Sequence, residues 1–523
     1  MKKQIIYISI VLIVVLSGCE KMLDLTPEDK VTGKNFWKNK EEVETSMVGA
    51  YGKLQGCLSS FFTWGELRSE LVFVAGGSDD NFTNRLEVNN NMITKDNKLC
   101  AWGSVYSAIN QMNYVIDYAP MVRAVDKSFT ETELNYFLGE AKTLRALCYF
   151  YLARTFQTFP YVTIASKNDE QSYDYAGILY TQVLDSIVKD LMWSEQYVRK
   201  NFDDVNFSTN SLKTRYEKGR ITQPAVWALL ADVYLTQNKY QQANVYLDKI
   251  INDGRFSLMT GPEKWYSIFY PGNSDEAIFE LQFAREYTNS GDFIKWFSGR
   301  SSVGGNNWYQ LQITNRTSSF SYWEGDDWLE PKLDNRGSGS TYIGQLSGIG
   351  SQTSSGGAAV WKWIGNRYRG DKEEHYRDGN SNDPNWIFYR LADIYLMKAE
   401  ALNRMDNMTE ARKVIEIIRQ RVSASMEDFT YSNVEELEGL ILDERARELA
   451  FEGKRWFDLV RIARRQNNNT EVISSRYCNA KSRSVVQDGN FKARFVDPLA
   501  WFFPIHKDEM EKNLNLEQNP YYK

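Results

Sequence analysis

Histidine is almost absent from this sequence, whose 523 residues include only His375 and His506. Two histidines far apart in the chain are a poor basis for a His-rich metal site or a His-based catalytic triad. Cysteine is also scarce, and the four cysteines after Cys19 show no CxxC pair, no zinc-type spacing and no disulfide framework. One of them, Cys148, falls on an apolar helix face and is expected to be buried. The sequence therefore predicts no cofactor and no metal centre of these kinds.

The chain also has no excess of positively charged residues. The chain has 62 Lys and Arg against 68 Asp and Glu, a net charge of −6. This balance argues against a protein whose main partner is the nucleic-acid backbone. Beyond the N-terminus, no apolar run approaches the about 18 residues that indicate a membrane-spanning helix, so we expect the rest of the chain to lie outside the bilayer.

The one long apolar run, at residues 5–16, follows Lys2 and Lys3. As a helix it would rise about 18 Å, too little for a hydrocarbon core of about 30 Å. The pattern is typical of a signal peptide at residues 1–18. The sequence Leu16-Ser17-Gly18-Cys19 is similar to a bacterial lipobox, which predicts lipidation of Cys19 and a lipid-only attachment to the membrane. An ordinary secretory signal is the alternative.

Aromatic residues, by contrast, are abundant. They make up 14% of the chain, with 27 Phe, 31 Tyr and 15 Trp. Flat aromatic faces can stack on the C–H face of a sugar ring, while short polar side chains bind its hydroxyl groups. The composition therefore favours binding of apolar or ring-faced ligands.

Helical periodicity dominates both flanks of the chain. Apolar residues recur at offsets of 0, 3, 4, 7 and 8 in residues 144–152 and 226–234, and a further apolar face follows at 243–251. The arrangement returns at residues 391–402 and 411–418. Two short amphipathic helices joined by a tight turn resemble a tetratricopeptide (TPR) hairpin. These faces predict a mostly α fold built on TPR-like helix pairs, in which Trp102, Trp227 and Trp456 are packing residues.

The middle of the chain differs in composition. Residues 257–385 are rich in Gly, Ser and Trp, a pattern that predicts a loop-rich insertion with short strands. Loops carried on a rigid frame are a frequent place for binding sites. We therefore divide the chain into a signal peptide at 1–18, an N-terminal helical region at 19–256, a candidate ligand-binding insertion at 257–385 and a C-terminal helical region at 386–523.

Sequence motifs along nearly the whole chain resemble those of the SusD/RagB family of outer-membrane nutrient-binding lipoproteins. The most specific is the block at residues 443–459, DERARELAFEGKRWFDL, and the others occur in the expected order. They are CEKMLD at 19–24, AWGSVYSAINQMN at 101–113, GEAKTLRAL at 139–147, GRIT at 219–222, EAIFE at 276–280, YRLADIYL at 389–396, FPI at 503–505 and QNP at 518–520.

The resemblance implies a non-catalytic lipoprotein with four TPR-like helix pairs. It would bind oligosaccharides or polysaccharide and deliver them to a TonB-dependent (SusC-like) outer-membrane transporter. It also implies lipid anchoring in the outer membrane facing the cell exterior, consistent with Glu20 and Lys21 after the lipidated cysteine. A minority branch of the family handles peptides instead.

The candidate ligand-binding residues fall in two segments. The insertion supplies possible stacking rings at Trp296, Trp308, Tyr309, Trp323, Trp361 and Trp363. Trp361 and Trp363 alternate around Lys362, which predicts a strand. An early polar loop supplies Asp79, Asp80, Asn81 and Arg85. For each ring the alternative is a core anchor, and for the loop it is an ordinary turn or, less regularly, a calcium site without EF-hand spacing.

Other functions remain open at this point. The charges at 443–461 could suggest an active site, but the apolar stripe among them favours an ion-pair network on a helix surface. A surface glycoside hydrolase needs two carboxyl groups about 5–9.5 Å apart, which 68 acidic residues do not exclude. A peptide-binding uptake protein and a pure TPR-like scaffold are the remaining alternatives.

Overall fold

The structure, a computed structural model, describes most of the two flanks and short parts of the insertion. The described residues are 36–74, 80–166, 174–283, 296–297, 309–311, 343–344, 359–365, 384–422, 424, 426–427, 429–481 and 485–523. The predicted signal peptide and Cys19 lie outside them. None of the helices in these ranges has both the length and the apolar character needed to cross a bilayer.

The fold is mostly helical, as predicted. Before the insertion the helices are α1 Lys40–Gln55, α2 Leu58–Phe62, α3 Phe82–Asn89, α4 Gly103–Val125, α5 Glu131–Thr155, α6 Tyr180–Tyr197, α7 Asn210–Gly219, α8 Gln223–Thr236, α9 Tyr240–Ile251 and α10 Pro262–Tyr266. The later helices are α11 Trp361–Ile364, α12 Leu391–Arg404, α13 Met408–Gln420, α14 Val434–Leu449, α15 Arg455–Arg465, α16 Glu471–Lys481, α17 Val485–Phe495 and α18 Lys507–Lys512.

Within the described residues, eight short strands form antiparallel pairs. They are β1 Val72–Val74, β2 Thr158–Phe159, β3 Ile178–Leu179, β4 Ala277–Leu281, β5 Tyr309–Leu311, β6 Ile343–Gly344, β7 Ala359–Val360 and β8 Trp386–Arg390. β1 pairs with β5, β2 with β3, β4 with β8, and β6 with β7. Because β4 and β8 flank most of the insertion, their pairing brings its two ends together.

The predicted helix pairs are confirmed. Besides α4 and α5, for which no pairing is predicted, the two predicted pairs, α8 with α9 and α12 with α13, each pack together, and α9 packs on α12. The last two pairs turn in the same way, with Asn238 at φ 59° and Asp406 at φ 60°. Asn and Asp tolerate this left-handed conformation better than most residues, so both tight turns follow from the local sequence.

Aromatic rings from distant segments build the centre of the core. Phe61 stacks on Tyr151 with ring centroids 3.8 Å apart. Phe388 from β8 lies edge-on to Phe61 and stacks on Phe279 from β4 at 5.2 Å. Trp102, Trp456 and Cys148 are buried, as predicted, and Trp227 is partly buried against the core. Much of the aromatic content therefore serves packing.

The chain near Gly65 docks closely on the turn between α14 and α15. Gly65 lies in a π-helical turn at Thr63–Leu67. The neighbouring Glu66 accepts hydrogen bonds from the backbone N–H groups of Phe451 at 2.9 Å and Gly453 at 3.1 Å. A Cβ at Gly65 would lie 2.0 Å from the carbonyl oxygen of Gly453. There is no room for a side chain at this position.

We expect Gly65→Ala to lower the free energy of unfolding by about 3 kcal/mol, since two backbone segments would have to separate. Gly52→Ala is the matched control, because nothing lies within 4 Å of its added Cβ in the helix α1. Alanine is the better helix former, so the control should gain up to about 1 kcal/mol. Urea denaturation of both variants measures the difference, and equal effects would contradict the close contact.

Candidate functional site

Strand pairing brings two stretches of the insertion to the strand that precedes the polar loop. Val74, the last residue of β1 before the polar loop, pairs with Tyr309 at the start of β5. β5 also lies beside β7, whose Val360 pairs with Ile343 of β6 and is followed by Trp361. We call this region the strand-end face, defined by Val74, Tyr309 and Trp361.

Helix α3 is fixed beside this face by two asparagines. Asn89 donates from Nδ2 to the carbonyl oxygens of Leu67 at 2.7 Å and Val72 at 2.9 Å, which ties α3 to β1. Asn97 donates to the carbonyl oxygen of Asn84 at 3.0 Å and to Glu87 Oε2 at 2.8 Å. These four hydrogen bonds hold the backbone that follows the polar loop in a defined position.

The polar loop divides into exposed and buried residues. Asp80 and Asn81 are exposed, and Asn84 Nδ2 donates to Asn81 Oδ1 at 3.2 Å. Arg85, also predicted as a ligand-binding residue, is only 2% exposed on the inner side of α3. Its burial gives it a packing role, so that, of the predicted loop residues that the structure describes, Asp80 and Asn81 are exposed.

Two of the predicted stacking rings belong to the core. Trp296 packs against Phe62 with ring centroids 5.6 Å apart. Trp363 is fully buried, stacks on Trp386 at 5.4 Å and donates from Nε1 to the carbonyl oxygen of Phe451 at 3.1 Å. Because its side chain has no exposed surface, Trp363 cannot stack on a sugar ring, and the core alternative holds for both residues.

The predicted strand around Lys362 is wrong, because residues 361–364 form the short helix α11. Lys362 points into the protein, where Nζ donates to Glu452 Oε1 at 2.7 Å and to the carbonyl oxygen of Ala450 at 2.9 Å. The two tryptophans around a lysine thus belong to a short helix whose side chains Lys362 and Trp363 are anchored in the core. It attaches this part of the insertion to the loop between α14 and α15.

Lys362 belongs to a buried group of charges that we call the Arg390 cluster. Arg390 contacts Glu276 at 2.7 Å, Glu448 at 2.6 Å and Glu452 at 2.9 Å. Arg421 also pairs with Glu276, at 2.6 Å, and with Glu448. The members are Lys362, Arg390, Arg421, Glu276, Glu448 and Glu452. Three formal positive charges balance three negative ones, beside the strand pair that closes the insertion.

Electrostatic pairing overrides burial at Glu452 and Arg390, whereas burial dominates at Lys362 and lowers its pKa. Burial alone would raise the pKa of Glu452, but Arg390 and Lys362 hold it below its usual value. Burial would likewise lower the pKa of Arg390, yet the neighbouring carboxylates raise it well above its ordinary range. Glu452 and Arg390 are therefore charged and structural.

The prediction that the charges at 443–461 form a network on a helix surface is wrong in location, because Glu444, Arg445, Arg455 and Asp458 are also buried.

Several predicted site residues remain untested by this geometry. Asp79, Trp308 and Trp323 lie outside the described residues, and Tyr309 and Trp361 are placed by their backbone. Within the described ranges, no group of three or more His, Cys, Asp or Glu side chains is arranged to hold a metal ion. The strand-end face brings two stretches of the insertion to the end of β1, and the exposed Asp80 and Asn81 follow Val74 by six and seven residues along the chain.

Comparison with known proteins points to one family. A family model described as the SusD family matches residues 305–522, and another described as "Starch-binding associating with outer membrane" matches residues 22–235. SusD-like protein P38 of Formosa agariphila is 28% identical, with 96% of each chain covered.

Solved structures of the same superfamily share the fold. A SusD superfamily protein from Bacteroides thetaiotaomicron superposes with a TM-score of 0.71 at 21% identity, covering 93% of this chain and 99% of that one. A laminarin-binding SusD-like protein gives a TM-score of 0.68 at 21% identity, covering 93% of this chain and 100% of that one.

Proposed function

Since the chain belongs to the SusD family, whose starch-binding members associate with the outer membrane, we propose that it binds oligosaccharides or polysaccharide at the cell surface and delivers them to a partner TonB-dependent transporter. The observation that supports this most is the strand register at Val74 and Tyr309. It joins the polar loop to the aromatic insertion, and the two together provide hydroxyl-binding and ring-stacking groups.

The same proposal includes the location and the mode of action. The lipobox-like sequence before Cys19 supports a lipid anchor, and the acidic residue after it fits exposure on the outer side. The charged residues of the C-terminal block are paired inside the fold, which supports a role in binding without catalysis. The related laminarin-binding protein makes β-linked glucans reasonable first ligands to test.

An affinity screen of the chain lacking residues 1–19 tests the ligand class. The panel contains starch, laminarin, xylan and mannan fragments beside peptides of mixed sequence. We expect saturable binding to at least one oligosaccharide and none to the peptides. Binding to peptides alone would contradict the proposal and favour a peptide-uptake role.

A further inference from the structure

A second concave site lies away from the strand-end face. It is a cleft of about 530 Å³ between the first turns of α4, the segment at 160–166 and the C-terminal residues 509–516. Its volume is within the range of about 300–1,000 Å³ typical of small-ligand sites. None of the described residues that line it belongs to β1, α3 or the insertion. The cleft is therefore a separate site from the proposed ligand face.

Hydrogen bonds from α4 hold one wall of the cleft. Tyr106 donates from its hydroxyl to the carbonyl oxygen of Pro160 at 2.6 Å. Asn113 Nδ2 donates to the carbonyl oxygens of Val162 at 3.2 Å and Ile164 at 3.1 Å. The N–H of Ser166 donates to Asn110 Oδ1 at 2.8 Å. Because these bonds fix the segment at 160–166, the cleft is formed before any ligand binds, which lowers the entropic cost of binding.

The opposite wall comes from the C-terminus. Asn513 donates from Nδ2 to the carbonyl oxygen of Tyr175 at 2.8 Å and fixes that residue at the edge of the cleft. Glu509 and Lys512 on α18 also line it. Within the described part of the chain, neither side chain forms a hydrogen bond or ion pair with another residue. Both are available to a ligand.

The lining chemistry favours a saccharide. Tyr106 and Tyr175, both partly exposed, contribute aromatic groups, whereas Glu509, Lys512 and Asn110 contribute acceptors and donors. A phosphate would meet one lysine offset by a carboxylate, and a metal ion would meet a single carboxylate. A pyranose chain needs an apolar surface for its ring faces and hydrogen bonds for its edges, and the cleft provides both.

We propose that this cleft is a second, accessory binding site for short neutral oligosaccharides, with Glu509 and Lys512 binding hydroxyl groups and the aromatic residues contacting ring faces. The proposal rests on the proposed function, since it assumes a carbohydrate ligand. Two separate sites on one chain would let it hold a long polysaccharide at two points and so raise its avidity.

Hydrogen exchange locates the bound sugar, and calorimetry gives its affinity. The chain lacking residues 1–19 is mixed in turn with maltohexaose, laminarihexaose, cellohexaose, xylohexaose and mannohexaose. We expect a sugar that binds to slow exchange at residues 160–166 and 507–516 as well as at 72–89. Glu509→Gln should weaken the site at 160–166 and 507–516 about tenfold, because a hydrogen bond to a charged acceptor is lost.

Glu511→Gln is the matched control, because Glu511 is exposed on the same helix and does not line the cleft. It should leave both sites unchanged. Protection at 72–89 without protection at 160–166 and 507–516 would overturn the accessory site and leave the proposed function standing. An equal loss in both variants would also overturn it. No binding of any of the five sugars would overturn the proposed function and the accessory site together.

Discussion

Replacing Arg390 by methionine is expected to lower the free energy of unfolding by about 3–5 kcal/mol, the range found when one partner of a buried ion pair is removed. The guanidinium contacts three fully buried carboxylates, those of Glu276, Glu448 and Glu452. Methionine fills similar space without charge. The three carboxylates would then share only Lys362 and Arg421, which leaves an unbalanced negative charge in the core.

Urea denaturation followed by tryptophan fluorescence measures this loss. Lys413→Met is the matched control, because Lys413 pairs with Glu410 at 2.6 Å while both side chains are about half exposed. Surface pairs of this kind contribute at most about 1 kcal/mol. A loss for Arg390→Met no larger than for Lys413→Met would show that the cluster does not stabilise the closure of the insertion.

Replacing Tyr309 by alanine is expected to weaken oligosaccharide binding by more than about 2 kcal/mol, or about thirtyfold in Kd. Tyr309 is the position where the insertion meets the end of β1, beside the polar loop. Truncated tyrosine and tryptophan residues often account for losses of this size at binding sites. Isothermal titration with the oligosaccharide that the chain binds gives the value directly.

Gln310→Ala serves as the control for that measurement. Successive positions of a strand alternate between the two faces of a sheet, so the neighbouring position should matter little for a ligand at Tyr309. Thermal denaturation of both variants checks that the fold is kept. Equal affinities for Tyr309→Ala and the unchanged chain would remove Tyr309 from the proposed site.

The helical frame was predictable because its information is local. The apolar faces at residues 144–152, 226–234 and 391–402 have a helical period, and each lies within the helix that it predicts. The turns at Asn238 and Asp406 are equally local, since they depend on one residue that tolerates positive φ. Sequence alone was sufficient wherever one segment determines its own conformation.

The burial of the charged block was not predictable in this way. A stripe of apolar residues between charges is typical of a helix with one solvated face. Here the apparently solvated side is covered by partners from other parts of the chain. Glu70, some 385 residues from Arg455 in the chain, forms an ion pair with it, and Asp393 forms an ion pair with Arg445 at 2.9 Å. Nothing within the block itself indicates that these partners are present.

The same limit applies to the tryptophans of the insertion. Trp296 and Trp363 share the composition and Gly-rich surroundings of the other candidates, yet Trp363 is enclosed by Trp386 and Phe451. Lys362 was the one feature of the sequence that could have indicated burial here, because a lysine flanked by two large rings can be anchored inside a protein as well as exposed. The pairing of β1 with β5 could not be predicted from the sequence either, since more than 200 residues separate the two strands.

We propose that the chain captures a saccharide without changing it. The most direct test titrates the chain lacking residues 1–19 with its oligosaccharide ligand by calorimetry and then analyses the recovered sugar by chromatography after prolonged incubation. We expect saturable binding and full recovery of sugar of unchanged length. Shorter sugars that accumulate with time and with protein concentration would contradict it and show that the protein is a hydrolase.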